Sequence, residues 1–98
     1  MSNIFNLLIG SNKEYNGWTN YATWNVNLWL TNDEGSYNYW MEKARNSEAN
    51  ELAIALEDEH KEAMPELGSS TYSDLLQHVL GSVNWHEIAK SLIEEASA

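Results

Sequence analysis

The chain of 98 residues has the length of one small domain, and 43% of its residues are hydrophobic, which is enough for a packed core. It carries 5 Lys and Arg against 15 Asp and Glu, and the resulting net charge of −10 opposes direct binding to nucleic acid or to an anionic membrane. Because it has no cysteine, disulfides, thiolate metal sites and a cysteine nucleophile are excluded.

The first 17 residues are predicted to form an apolar arm and a loop, and residues 18–98 a helical body. Residues 1–10 are largely apolar, but they lack the basic flank and the long apolar run of a signal peptide. No stretch of the sequence approaches the roughly 18 apolar residues of a membrane span. We therefore expect residues 1–98 to form a single soluble domain in the cytoplasm.

The first predicted helix begins near Thr19 and ends at Thr31 and Asn32. Between Trp24 and Leu30 apolar and polar residues alternate, as they do in a strand. We favour a helix because Thr19 is a suitable N-cap and Thr31-Asn32 a natural stop. Most of this helix is apolar around its circumference, which is typical of a helix that is central to the core or shared with a partner.

The second and third predicted helices contain most of the acidic residues. Asp33 to Asn46 has acids in its first turn and bases in its last, as the helix dipole favours. Ser47 is expected to cap the third helix, which runs to about Met64 and stops before Pro65.

Two short helices complete the predicted fold. Thr71 or Ser73 opens the fourth helix, which ends at Gly81, and Asn84 with Glu87 forms a start resembling a capping box for the fifth. The sum is an all-α, compact single domain of four or five short helices. We expect in the core one residue from each of three apolar stripes: Trp24, Leu56 and Trp85.

No motif predicts catalysis or a metal site. His86-Glu87 resembles the start of a zinc-protease motif, but Lys90 stands where the second histidine must be, and a lysine cation cannot bind zinc. His60 lies on the apolar stripe of the third helix, which is typical of a satisfied histidine at the core edge. The acids lie on solvated faces, without the difference in burial that catalytic carboxylate pairs need. We expect no enzymatic activity and no cofactor.

Two surfaces are candidates for binding. The aromatic residues in and before the first helix either pack the core, which we favour, or form a protein interface. They could also stack bases or enclose a ligand, but base stacking normally accompanies a basic groove, which is absent from this segment of the sequence. These residues are Trp18, Tyr21, Trp24 and Trp29. The acidic face of the third helix is either a solvated surface or a surface for a basic partner. Its five carboxylates, spread over about 21 Å, are too sparse to imitate duplex DNA on their own, since DNA carries one charge per about 1.7 Å. They are Glu48, Glu51, Asp58, Glu59 and Glu62.

Three blocks of the sequence carry a resemblance to a known family. They are the N-Y-x-T-W-x-V-x-L-W-L pattern within residues 15–30, the N-D-E-G step at 32–35 and the N-W-x-E-I-A block at 84–89. Their order resembles a family of small proteins encoded by phages, plasmids and other mobile elements. Ala22 stands where many members carry an acidic residue, and we expect this position on the surface side of the helix.

The resemblance implies a protein that acts by binding and not by catalysis. The function it implies is counter-defence, namely inhibition of the BREX anti-phage system through binding of a BREX component, such as its large ATPase. It also implies a location in the cytoplasm of the infected bacterial host. The alternative is an acidic DNA mimic that blocks a restriction or CRISPR effector.

We expect the partner to be recognised through exposed acidic residues with an aromatic neighbour. Such acids speed the encounter with a basic surface, and an exposed tyrosine supplies an anchor. The candidates are Asp33, Glu34, Tyr39, Glu51, Asp58 and Glu62. The excess of large apolar groups, notably Trp29, Leu30 and residues 1–10, also predicts a two-fold homodimer.

Overall fold

The computed structural model describes residues 13–98, which fold into five helices packed as one all-α domain, as predicted. The helices are α1 (Tyr21–Asn32), α2 (Glu34–Arg45), α3 (Ala49–Glu62), α4 (Thr71–Gly81) and α5 (Trp85–Ala96). Residues 13–98 contain no strand, only an isolated bridge between Tyr15 and Trp18. The predicted apolar arm at 1–10 lies outside the described residues.

α5 lies at the centre of the packing. It packs most extensively against α3 and next against α2, which in turn packs against α1. Leu56 and Trp85 are buried, which confirms two of the three predicted core residues. Ala22 is also buried, so its expected place on the surface is wrong. The buried apolar side chains are Ala22, Leu30, Trp40, Met41, Ala44, Leu52, Leu56, Val83, Trp85, Ile88, Ala89 and Leu92.

Trp24, the third predicted core residue, is half-buried beneath a loop instead. Asn16 and Gly17 both have positive φ, 46° and 86°, as a two-residue type I′ turn requires. The turn lets the backbones of Tyr15 and Trp18 exchange N–H···O bonds of 2.9 and 2.8 Å. The ring of Tyr15 then lies against Trp24, with centroids 4.9 Å apart. The prediction that Trp24 lies in the core is wrong because its face of the helix packs on this aromatic loop.

The start of α1 and the start of α5 are joined by hydrogen bonds among Thr19, Asn20, Thr23, Asn84 and Glu87, which we call the polar latch. Asn20, rather than the predicted Thr19, is the N-cap of α1, and its Oδ1 accepts from Thr23 N at 2.9 Å and Thr23 Oγ1 at 2.6 Å. Thr23 Oγ1 in turn accepts from Asn84 N at 2.9 Å. Asn20 and Thr23 are 2% and 0% exposed, so the latch is closed to solvent at its centre.

The outer part of the polar latch uses the predicted cap of α5 in an unexpected way. Asn84 Oδ1 accepts from Glu87 N at 3.0 Å, which confirms Asn84 as the N-cap. The carboxylate of Glu87 does not return to its own helix; its Oε1 accepts from Thr19 N at 3.0 Å. Asn84 Nδ2 donates to Thr19 Oγ1 at 3.0 Å. The first and third blocks of the family resemblance therefore meet in space and hold two helix ends together.

The N-cap of α3 lies one residue later than predicted. Glu48, rather than Ser47, is the N-cap, and its backbone N–H donates to Glu51 Oε1 at 3.3 Å. This bond satisfies one N–H at the helix start, which would otherwise lack a partner within the helix. The carboxylate of Glu51 is therefore engaged within its own helix.

α4 is the helix with the least buried surface. Ser70 caps it by accepting from Ser73 N at 3.2 Å, and it ends at Gly81 as predicted. None of its side chains is fully buried, although it carries an apolar stripe. The half-buried residues of this stripe are Leu75, Leu76, Val79 and Leu80.

Candidate functional site

A surface groove is formed by residues from the end of α1, the first part of α2 and the end of α3. It consists of two neighbouring cavities of about 460 and 390 Å³, which share Ser36 and His60. Tyr39, 47% exposed, lines the larger cavity, and Trp29, 69% exposed, lines the smaller one. We call this surface the aromatic groove and define it by Trp29, Asp33, Ser36, Tyr39, Glu59 and His60.

The groove rests on the core through contacts of His60 with two tryptophan rings. The His60 ring is stacked on Trp40 and tilted against Trp85, at centroid distances of 6.0 and 5.3 Å. Its Nδ1 lies 2.7 Å from the carbonyl oxygen of Leu56, and since a carbonyl only accepts, Nδ1 carries the proton. The prediction of a satisfied histidine at the core edge is therefore confirmed. Because both tryptophans are buried, the base of the groove is fixed by the core.

The larger cavity is bordered by a cluster of Tyr39, Lys43 and Glu59. Tyr39 Oη donates to Glu59 Oε1 at 2.6 Å, and Lys43 Nζ lies 3.2 Å from Glu59 Oε2. Lys43 Nζ also lies 5.1 Å from the centre of the Tyr39 ring. The hydrogen bond from Tyr39 and then the contact with Lys43 lower the pKa of Glu59, while Glu59 raises the pKa of Lys43. Glu59 thus stays ionised, whereas a general acid needs a raised pKa.

The smaller cavity lies where α1 meets α2. Trp29 is in the last turn of α1, and Asp33, four residues later, is the N-cap of α2. Asp33 Oδ1 accepts from Gly35 N at 2.8 Å and from Ser36 N at 3.3 Å. The cap orients the Asp33 carboxylate beside a largely exposed indole.

Two of the six predicted partner-binding residues lie in the aromatic groove. Asp33 and Tyr39 line its two cavities, one on each side of the shared Ser36. Glu34 is exposed in the first turn of α2, outside the lining.

The other three predicted residues lie along α3 and are not grouped. Glu51 is in the first turn and caps the helix, whereas Asp58 and Glu62 are exposed in the second half. Asp58 and Glu62 are four residues apart and share a face. The acidic face predicted from the sequence therefore has its first end engaged in capping. In its second half Tyr39 and Lys43 engage Glu59, whereas Asp58 and Glu62 are open to solvent.

Sequence reasoning missed part of the groove. The sequence predicts Trp29 in the core or in an interface, and the structure exposes it on the groove; the polar residue Asp33, four positions later, is a local signal of that exposure. The pairing of Lys43 with Glu59 joins two helices, and no local pattern in the sequence predicts it.

Within residues 13–98, no group of three or more histidine or acidic side chains is placed to hold a metal ion. None of the helices in this part of the chain has both the length and the apolar character needed to cross a membrane.

These features define a small, acidic, all-α protein with an aromatic groove on its surface. The chain belongs to DUF7249, a family of unknown function, whose sequence profile matches residues 11–97. No curated protein and no solved structure matches the chain.

Proposed function

We propose that the protein is a non-catalytic, phage-encoded counter-defence inhibitor that binds a component of the host BREX system. The observation that carries the binding role is the pair of exposed aromatic side chains, Trp29 and Tyr39, on one groove. Single exposed aromatics are common, but two on one shallow, preformed surface are what a protein interface uses as anchors.

The geometry of the groove supports binding without large rearrangement. Tyr39 is held by Glu59 and Lys43, and the base is fixed by the ring contacts of His60 with two buried tryptophans. Side chains that are already ordered lose little conformational freedom when a partner docks. A partner that inserts a side chain here gains contact area at low entropic cost.

The choice of target comes from the family resemblance, not from the groove. The three sequence blocks resemble those of OrbA, a phage-encoded inhibitor of BREX, and this resemblance supports a BREX component, such as the large ATPase, as the partner. It also supports the cytoplasm of the infected bacterium as the place of action.

Exposed acids on α3 suit the approach of a basic partner. Asp58 and Glu62 are solvent-exposed, and such charges mainly raise the association rate. Glu51 is a poor test of this role, because reversing its charge also removes its hydrogen bond to Glu48 N. Charge reversal of Asp58 and Glu62 together is therefore the cleaner variant.

The experiment has a cellular and a purified arm. Expression of the protein in BREX-positive bacteria should restore plating of a BREX-sensitive phage, with the same strain lacking BREX as reference. Purified BREX components, tested one at a time by calorimetry, should identify one that binds. The double variant Trp29→Ala/Tyr39→Ala should weaken that binding by about 100-fold, since each anchor contributes on the order of 1–2 kcal/mol.

Tyr72→Ala is the matched control, because Tyr72 is 73% exposed on α4, away from the groove. It should bind as the unmodified protein does. Restored plating with no direct binder, or equal loss in the control variant, would contradict the proposal.

Salt separates this proposal from the DNA-mimic alternative, which the net charge of −10 favours. A mimic binds through many exposed charges, so its affinity should collapse between about 0.1 and 0.5 M salt. Binding through desolvated aromatic anchors should fall only modestly over the same range.

A homodimer is a separate prediction. Leu30 is buried within one chain and cannot contribute to it, whereas Trp29 is exposed. Sedimentation velocity at roughly tens of micromolar protein should give twice the monomer mass. A single monomeric species at that concentration would contradict the prediction.

A further inference from the structure

We propose that the smaller cavity of the aromatic groove is a binding site for an arginine side chain of the partner. The site is formed by the indole of Trp29 and the carboxylate of Asp33, which line the same cavity of about 390 Å³. The existence of a natural partner rests on the proposed function, but the chemistry of the site does not.

The indole of Trp29 offers a flat, unoccupied face. It is 69% exposed, and it makes no ring or cation contact among residues 13–98. Val26 and Leu30 add apolar surface to the same cavity. A tryptophan face attracts cations more strongly than the face of any other aromatic side chain, and it favours a planar guanidinium that can stack on it.

The charged side chain that lines the cavity is a carboxylate. Asp33 lines it, and no described Lys or Arg lines either cavity of the groove. Asp33 Oδ1 accepts the two capping N–H groups, which leaves Oδ2 available for a guanidinium. The C-terminus of α1 and the N-terminus of α2 meet here, so their dipoles largely offset each other, and the carboxylate of Asp33 supplies the attraction for a cation.

The larger cavity, at the other end of the groove, cannot bind a guanidinium in the same way. Glu59 is its carboxylate, and both of its oxygens are engaged, one by Tyr39 Oη and the other by Lys43. Lys43 also occupies a face of the Tyr39 ring. The protein thus fills its own cation site beside Tyr39 and leaves the equivalent site beside Trp29 open, which assigns the incoming arginine to the Trp29 end.

The test uses short peptides, so it needs no host protein. An acetylated and amidated Gly-Arg-Gly peptide is titrated into ¹⁵N-labelled full-length protein and compared with the same peptide carrying lysine or citrulline. Citrulline keeps the shape of arginine but is neutral. The arginine peptide should shift the indole N–H of Trp29 and the backbone N–H of Gly35 and Ser36. The lysine peptide should bind more weakly, and the citrulline peptide should shift none of these signals.

Two substitutions that each remove one negative charge, one inside and one outside the cavity, sharpen the test. Asp33→Asn should weaken binding of the arginine peptide by about 2- to 5-fold, since asparagine caps a helix as well as aspartate but carries no charge. Glu34→Gln removes the same charge one residue away, outside the cavity, and should change the affinity little. The single variant Trp29→Ala, followed at the backbone N–H signals of Gly35 and Ser36, should weaken binding of the arginine peptide by about 2- to 5-fold.

Three outcomes would overturn the arginine site: equal shifts with citrulline, binding of lysine as strong as that of arginine, or equal effects of Asp33→Asn and Glu34→Gln. Failure of the proposed function is distinct. In that case no BREX component binds, while the arginine peptide still shifts the Trp29 signal. Conversely, a BREX component that binds Asp33→Asn and the unmodified protein equally contradicts only the arginine site.

Discussion

The two ends of α1 have opposite characters. At its start, Asn20 and Thr23 are buried in the polar latch, and their side-chain oxygens accept hydrogen bonds from within the fold. At its end, Trp29 is largely exposed on the aromatic groove. A buried polar group that loses its partner is costly, whereas an exposed aromatic group contributes little until a partner covers it.

Residues at the start of α1 therefore contribute to stability, and residues at its end are available for binding. The blocks that carry the family resemblance contain residues of both regions, so a shared sequence pattern alone does not say which of them binds. Burial and hydrogen bonding make that distinction. Substitutions in the latch should lower the free energy of unfolding, and substitutions in the groove should lower affinity while leaving the fold intact.

The largest effect is expected for Trp85, next to the latch residue Asn84. Trp85→Ala should lower the free energy of unfolding by about 3–5 kcal/mol, because it leaves a large cavity under His60. Denaturant titration followed by circular dichroism measures this loss. Trp85→Phe is the control, and it should lose clearly less, since it keeps a ring and removes an indole N–H that has no partner among the described residues. Unchanged stability of Trp85→Ala would contradict the burial of this ring.

The second effect tests the latch itself. Asn20→Ala should lower the free energy of unfolding by about 2–4 kcal/mol, because Thr23 N loses its acceptor and the carbonyl of Ser82 loses the donor Asn20 Nδ2, 2.7 Å away. Asn25→Ala, half-buried on the same helix but outside the latch, should cost less than about 1 kcal/mol. Similar losses for both variants would mean that the latch is not a special source of stability.

The helices were predictable because their signals are local. Pro65, the stop at Gly81, the cap at Asn84 and the apolar stripes are read within a few residues of the chain. The details that failed depend on distant partners. Thr19 and Asn20 are both good caps, and what distinguishes them is that Thr19 bonds to Glu87 across the fold.

The site was predictable only in part, for the same reason. Exposure could be read from helical spacing, which brought Asp33 and Tyr39 into the prediction. The contact of Lys43 with Glu59 could not, because it depends on how α2 packs against α3. The burial of Asn20 and Thr23 likewise follows from the docking of α5, which no spacing within α1 reveals.

A smaller effect on the free energy of unfolding is expected from the ionisation of Glu59 in the groove. The pKa of Glu59 is lowered, first by the hydrogen bond from Tyr39 and then by Lys43. Such a group stabilises the fold above its unfolded pKa of about 4.3, and this contribution is lost as the pH falls through the lowered pKa. Tyr39→Phe should therefore be less stable than the unmodified protein at pH 7, by at most about 1 kcal/mol because the groups are solvent-exposed.

The two proteins should begin to converge in stability below about pH 4, where Glu59 becomes protonated in both unfolded states, and should be equal once the pH lies below the lowered pKa of Glu59 in the folded protein. Urea titrations at a series of pH values give this difference directly, and contributions from other acids cancel between the proteins. Tyr72→Phe, which removes an exposed hydroxyl on α4, controls for loss of a phenol. A gap that widens toward acid would contradict the role given to Tyr39.

The smallest effect on stability is expected for Trp29, although its effect on binding is expected to be large. Trp29→Ala should change the free energy of unfolding by no more than about 0.5 kcal/mol, because a side chain that is 69% exposed leaves no cavity when it is shortened. Tyr72→Ala, exposed to a similar degree, should behave alike in the same denaturant titration. The two variants should differ only when the arginine peptide or the BREX component is added, since Trp29 alone belongs to the groove. A loss of stability above 1 kcal/mol or so in Trp29→Ala would mean that this indole supports the fold, and the contrast between the two ends of α1 would no longer hold.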